Sequence, residues 1–207
     1  MELLQFIVGP VSTNCYFVIN DNTKETIIVD PGDEADMLID RITIKELKPV
    51  AVLLTHGHFD HVGAALELSK TYGIKIYVGK DEKETLEDPR INETAFFGRT
   101  PESFHADVFL EDEEVLKLAG FTIKVLFTPG HTPGGVCYFL EDENYLFSGD
   151  TLFYNSVGRT DFPKSSSEAL IQGIKDKLLP LDDSVIVLPG HDARTTIGEE
   201  RIHNPYL

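Results

Sequence analysis

The first third of the chain alternates short apolar runs with turn residues. Residues 3–8, 15–19 and 25–29 are each long enough for a strand and too short for a helix. Asn20-Asp21-Asn22 predicts a hairpin turn between the second and third runs, and Asp30-Pro31-Gly32 ends the third. Over 34–47 the apolar positions Met37, Leu38, Ile42, Ile44 and Leu47 fit one helical face moderately well, and Pro49 stops the pattern. A buried strand is expected over 50–54. It runs straight into Thr55-His56-Gly57-His58-Phe59-Asp60-His61, after which 62–72, with Ala64, Ala65, Leu66 and Leu68, predicts a packed helix ended by Gly73.

Farther along, 74–78 predicts a second buried strand. The segment 80–105 is polar, helix-prone at its start, and then rich in phenylalanine at Phe96, Phe97 and Phe104. Consecutive strands are expected over 115–118, 121–127, 136–140 and 145–147, with turns at Ala119-Gly120 and 141–144. Ser165 to Ser167, followed by Glu168, open a helix running through 179, and a last strand over 185–188 precedes Pro189-Gly190-His191. Strands and helices fall in two comparable halves without a close repeat or low-complexity linker, which periodicity alone reads as a mixed α/β (α+β) domain.

At 207 residues and 42% hydrophobic content the chain can bury one sizeable core, so a single domain over 1–207 is expected. The N-terminus lacks a basic segment followed by a long apolar one, and no stretch reaches the roughly 18 apolar residues of a membrane span. A cytoplasmic location without membrane partners is expected. Cys15 and Cys137 are too few for a disulfide framework and read as buried free thiols. The formal charge of −17, from 18 basic and 35 acidic residues, forms no cationic stripe and argues against nucleic acid as a partner.

The chemistry concentrates in His56-Gly57-His58-Phe59-Asp60-His61, three imidazoles and a carboxylate within six residues at the end of an apolar strand. Imidazole and carboxylate without thiolate suit Zn, Fe or Mn at a catalytic centre, whereas structural zinc sites usually recruit Cys. His131, Asp150 and His191 each follow an apolar strand and a Gly, and three such coincidences beside the first cluster make ligands of them. His105 and His203 have no such setting and are assigned to the surface. Seven ligands exceed what one tetrahedral ion can use, so two divalent ions are expected, zinc first, with Asp150 as the candidate bridge.

The HxHxDH cluster, followed by His131, Asp150 and His191 at strand ends, resembles the metallo-β-lactamase-fold superfamily over essentially the whole chain. Gly9-Pro10-Val11-Ser12-Thr13-Asn14-Cys15-Tyr16, Thr128-Pro129-Gly130-His131-Thr132-Pro133-Gly134, Ser148-Gly149-Asp150-Thr151-Leu152-Phe153 and Gly158-Arg159-Thr160-Asp161-Phe162-Pro163 are similar to the glyoxalase II-like branch, in its short single-domain form. The resemblance implies a four-layer αβ/βα sandwich. It also implies one ion on His56, His58, His131 and Asp150 and the other on Asp60, His61, His191 and Asp150. Asp30 then either orients a ligand imidazole or simply forms a turn. Arg159 and Asp161 either face substrate or pair internally to stiffen the loop after Asp150, the second being favoured. Phe153, Tyr154 and Phe162 line the pocket mouth or pack in the core.

The function implied is hydrolysis of a small-molecule thioester such as S-D-lactoylglutathione by hydroxide generated at the two ions, with Asp60 the catalytic residue orienting it. Only 16 residues follow His191 (207 − 191), too few for the helical domain that contacts glutathione in full-length glyoxalase II. His191-Asp192-Ala193 also departs from the Gly-Pro that many relatives carry after this histidine. The nearest rival is a persulfide dioxygenase, which shares the framework and the Gly-Arg-Thr-Asp loop but uses one iron held by two His and one Asp. A secreted β-lactamase is disfavoured because Asp150 stands where typical zinc β-lactamases use Cys and no signal peptide is seen. A nuclease of the same fold is disfavoured by the charge, and a non-catalytic metal-binding protein is a less favoured alternative.

Overall fold

The computed structural model describes residues 1–96 and 100–207, so Phe97 lies outside the described residues. Seven residues of β1 (Glu2–Val8) pair antiparallel with β2 (Thr13–Ile19), and β2 with β3 (Glu25–Val29). Parallel pairing then continues through β4 (Lys48–Leu53), β5 (Lys75–Gly79) and β6 (Val108–Leu110), giving a sheet ordered β1-β2-β3-β4-β5-β6. The second sheet, ordered β14-β13-β10-β9-β8-β7, comprises β7 (Val115–Leu118), β8 (Phe121–Phe127), β9 (Val136–Leu140), β10 (Tyr145–Gly149), β13 (Ile186–Pro189) and β14 (Thr195–Thr196). Within it β10 and β13 run parallel, and the other neighbours run antiparallel. A small hairpin of β11 (Leu152–Phe153) and β12 (Ser156–Val157) follows β10.

Continuous apolar runs arise because both faces of each sheet are covered. Along β2 all seven residues are buried. Tyr16 and Val18 face the other sheet, where they meet Val125, Tyr138, Phe147 and Leu188. Cys15, Phe17 and Ile19 face outward, under Leu38 and Ile42 of α1 (Ala35–Ile44) and Leu68 of α3 (Ala65–Tyr72). On the far side Cys137, Leu146 and Val187 pack under Leu170 of α5 (Ser167–Gly173) and Ile197 of α6 (Ile197–His203). Helix, sheet, sheet and helix thus form four layers, as the resemblance implied. Phe17 is fully buried and meets Phe6 edge-on at 4.9 Å. Phe17→Ala should therefore cost about 3–5 kcal/mol, read as a shifted denaturant midpoint at unchanged slope.

Several elements differ from expectation. The helix expected over 62–72 is broken into α2 (Phe59–Val62) and α3, because the Ala64 amide donates to Pro31 O (2.9 Å) instead of continuing the helix. Leu66 consequently turns outward. The first helix ends at Ile44 rather than 47. The helix from Ser167 passes into a π-helical turn at Ile174–Leu178, and Ser166 is its N-cap, accepting from the Ala169 amide. The helix-prone start of 80–105 is a 3-10 turn at Lys80–Glu82 followed by α4 (Lys83–Glu87). β6, the β11–β12 hairpin, β14 and α6 had no clear sequence signal. Among the described residues no helix is long and apolar enough to cross a membrane.

Candidate metal centre

Each cluster of site residues leaves the carboxyl end of a strand, and the parallel pairs place those ends side by side. β3 and β4 deliver Asp30 and Thr55-His56, with the Asp30 amide donating to Leu53 O at 3.1 Å. β10 and β13 deliver Asp150 and His191, and the Gly190 amide donates to Gly149 O at 2.8 Å. His131 sits in the β8–β9 loop, which the Thr128 amide closes onto Gly135 O. The two sheets are stitched near the site by the Val136 amide on Thr55 O (2.9 Å) and by the Tyr138 hydroxyl on Leu54 O (2.7 Å).

The structure brings all seven sequence-predicted ligands together. Their donor atoms form three overlapping sets, each within 4.8 Å: His56, His58 and His131; His56, His61 and Asp150; Asp60, His61 and His191. His58 Nδ1 and His131 Nε2 lie 2.9 Å apart. Asp150 stands between the sets, with Oδ1 3.4 Å from His61 Nε2 and Oδ2 3.6 Å from His131 Nε2 and 3.5 Å from His191 Nε2. His191 Nε2 is also 3.2 Å from Asp60 Oδ2. His56 Nε2, His61 Nε2 and Asp150 Oδ1 are buried with no hydrogen-bond partner, and burial without one is costly. Divalent cations fit these residues: the inward atoms are all imidazole nitrogen or carboxylate oxygen, and several have no other use.

Electrostatics divides the residues into two kinds. Burial, then the neighbouring imidazoles, lower His56 far below the usual histidine range and bring His58 to about 3, and burial also lowers His131. These three are neutral, ready to donate lone pairs. Burial opposes charge on His61 and His191 as well, but the surrounding carboxylates outweigh it. Asp60, Asp150 and Asp30 raise His61, and Asp150 and Asp60 lift His191 to about 10. Burial works against ionising Asp60 and Asp150, yet His61 and His191 hold Asp60 near 2 and Asp150 well below the carboxylate range.

The supporting residues are now distinguishable. Asp30 accepts from the Thr55 amide and hydroxyl (both 2.7 Å), and its Oδ2 lies 3.0 Å from His61 Nδ1, so it orients the His61 imidazole rather than only forming a turn. Arg159 and Asp161 form the internal pair, two bonds at 2.9 and 2.8 Å, and Arg159 O lies 2.8 Å from His131 Nδ1. Arg159 also stacks on Phe162, 4.6 Å from the ring centroid. Phe162 meets His58 and His131 edge-on, and Phe153 tilts toward His191. With Val11, Val157 and Asp192 they line a cleft of about 320 Å³ over the cluster, within the range of small-molecule sites. Tyr154 lies outside that lining and is half exposed, and His105 and His203 are exposed at the surface.

Four positions had no assigned role from sequence. The Thr13 hydroxyl donates to Asp60 Oδ2 at 3.0 Å. Asn14 Nδ2 donates to Pro189 O and Asp192 O (both 3.0 Å), and the Tyr16 hydroxyl to Pro189 O (2.8 Å), so the motif over 9–16 holds the His191 loop. Asn14→Ala should lower occupancy of the Asp60/His61/His191 set with little change in the three-histidine set, read by metal analysis after dialysis. Glu82, fully buried, gave no signal, because it stands in the polar, charged run Lys80-Asp81-Glu82-Lys83.

Comparison with known proteins agrees with this geometry. A protein 42% identical over 200 residues, covering 94% of this chain and 92% of its own length, is the hydroxyacylglutathione hydrolase GloC of Haemophilus influenzae. The crystal structure of the B3 metallo-beta-lactamase BLEG-1 superposes with a TM-score of 0.94 at 42% identity over 99% of both chains. That of TTHA1623 in a di-iron-bound form superposes at 0.88 and 35% identity, over 99% of this chain and 100% of its own. The metallo-beta-lactamase superfamily model matches residues 8–191, a span that begins in β1 and closes on His191, and the chain belongs to that superfamily.

Proposed function

We propose that the protein is a metal-dependent hydrolase that cleaves a small acyl thioester of the S-D-lactoylglutathione type, with two divalent ions, zinc foremost, on the seven ligands. The observation that carries this reading is the buried set of nitrogen and oxygen donors under a small-molecule cleft, which His58, Asp60, His131, Asp150 and His191 line directly; three of the set's atoms have no hydrogen-bond partner in the protein. The thioester is chosen on the GloC relative.

Divalent ions held there would supply an acidified water and polarise the substrate carbonyl. The chain's own residues set up the rest. His56, His58 and His131 are neutral and present lone pairs to one side of Asp150; on the other side Asp60 presents carboxylate oxygens, and His61 and His191, whose protons the neighbouring carboxylates favour, would each release one to hold an ion. Asp60 is fixed by the Thr13 hydroxyl, which leaves its carboxylate to accept a hydrogen bond from the attacking water and aim it. Phe153 and Phe162 wall the cleft against bulk water, while the Arg159 guanidinium at its rim offers donors to polar groups of the substrate. A departing thiolate has a conjugate acid near pKa 8.5 by analogy with Cys, so no protein acid is needed to protonate it.

The test is metal content by elemental analysis together with turnover of S-D-lactoylglutathione and a simpler thioester, in air and without oxygen. Two ions per chain with oxygen-independent hydrolysis is expected. One iron per chain with oxygen uptake on glutathione persulfide would replace this reading with the dioxygenase. The likeness to BLEG-1 favours β-lactam hydrolysis as a second reading, and a chromogenic cephalosporin cleaved faster than either thioester would establish it.

A further inference from the structure

Glu82 belongs to none of the ligand sets, yet it is fully buried, and a carboxylate is kept there only if its oxygens are used. Oε2 accepts from the Gly57 amide at 2.9 Å and Oε1 from the Gly134 amide at 2.7 Å. These amides belong to the two loops that carry the three-histidine set. Gly57 lies between His56 and His58, and Gly134 lies three residues beyond His131. The fit is tight on both sides. A Cβ on Gly57 would come 2.9 Å from Glu82 Oε2, and one on Gly134 would come 2.5 Å from the Glu82 amide nitrogen. On the opposite side of the loops His58 Nδ1 and His131 Nε2 converge to 2.9 Å.

We infer that Glu82 is the positioning residue of the three-histidine metal site: it ties the His56-Gly57-His58 loop to the His131 loop from behind and fixes the separation at which their imidazoles meet one ion. The second set has other supports, Asp30 on His61, Thr13 on Asp60 and Asn14 on the His191 loop; Asp30 also holds Thr55 beside His56, but none of the three is bonded to Gly57 or Gly134 as Glu82 is. Loss of Glu82 therefore weakens one ion selectively. The inference rests on the two-ion reading above, but its test needs no substrate.

Glu82→Gln keeps the size of the side chain but offers one acceptor and one donor, so one loop amide faces an N–H group and its tie is lost. Titration of the metal-free protein with Zn(II) against a chelating indicator should show two tight ions in the parent. In E82Q one dissociation constant should rise about 10–100-fold, the usual cost of losing such an orienting partner, while the other stays within threefold. His191→Ala, which removes a ligand of the second set, identifies the affected ion: H191A should retain one tight ion and E82Q/H191A none. A double variant holding one ion at the H191A affinity would overturn the inference, as would an E82Q protein with a lower Tm and both constants unchanged. If E82Q does not fold, Glu82→Asp, which keeps the charge but is one methylene shorter, must show the same selective loss. A parent that binds a single ion would refute the two-ion reading, and the E82Q effect on that ion would still decide the role of Glu82.

Discussion

Asp150→Asn is expected to lower kcat/KM by at least about 10³-fold, equivalent to about 4 kcal/mol of transition-state stabilisation. The side chain lies against both halves of the cluster, one oxygen beside His61 and the other beside His131 and His191. Asparagine matches its shape but replaces one anionic oxygen with an N–H donor, which repels a cation instead of binding it. Elemental analysis of the purified variant should show fewer than two ions per chain, and its circular dichroism should match the parent, since the sandwich core lies elsewhere. A D150N protein that retains two ions and activity within threefold of the parent would remove Asp150 from the centre.

The second large effect is expected at a residue with no side chain. Gly190 is held by its own amide on Gly149 O (2.8 Å) and by the Asn14 amide on its carbonyl (2.7 Å), so it cannot back away from the cluster. A Cβ there would overlap Asp150 Oδ1 and come 2.6 Å from His61 Cε1. Gly190→Ala must therefore displace ligands of both sets, at an overpacking cost of about 1–3 kcal/mol and a Tm lower by roughly 2–12 °C. Metal content should fall with it. Gly73→Ala is the control: at φ 67° with nothing within 4 Å, it strains the backbone by roughly 1–2 kcal/mol far from the cluster and should leave both ions in place. Equal metal content in the two variants would show that the close approach at Gly190 is tolerated.

Much of the site was legible because its chemistry is local. Three imidazoles and a carboxylate packed between Thr55 and Val62, and three more ligands each placed one residue after a glycine at a strand end, are patterns that core packing does not require. The strands over 25–29, 115–118, 121–127 and 136–140 were legible to the residue, because their apolar runs are bounded by turn residues. The break between α2 and α3 was not, since it depends on a carbonyl at Pro31 far away in sequence. Nor was α6, whose Ile197 is buried while Ile202 is exposed, so that seven residues show no apolar face of their own.

The sequence by itself determined the candidate ligand residues, the alternation of strands and helices, and the excess of negative charge, because each is written in residue type or short-range spacing. Only the tertiary structure decided that Asp150 stands between two groups of imidazoles, that Asp30 turns its carboxylate onto His61, and that Glu82 lies buried behind two glycine loops instead of in solvent. Those facts depend on which strand ends the parallel pairs β3–β4 and β10–β13 bring side by side. A carboxylate in a charged run looks the same in sequence whether water or two loop amides receive it; the packing of the 80–86 segment against the loops selects between them.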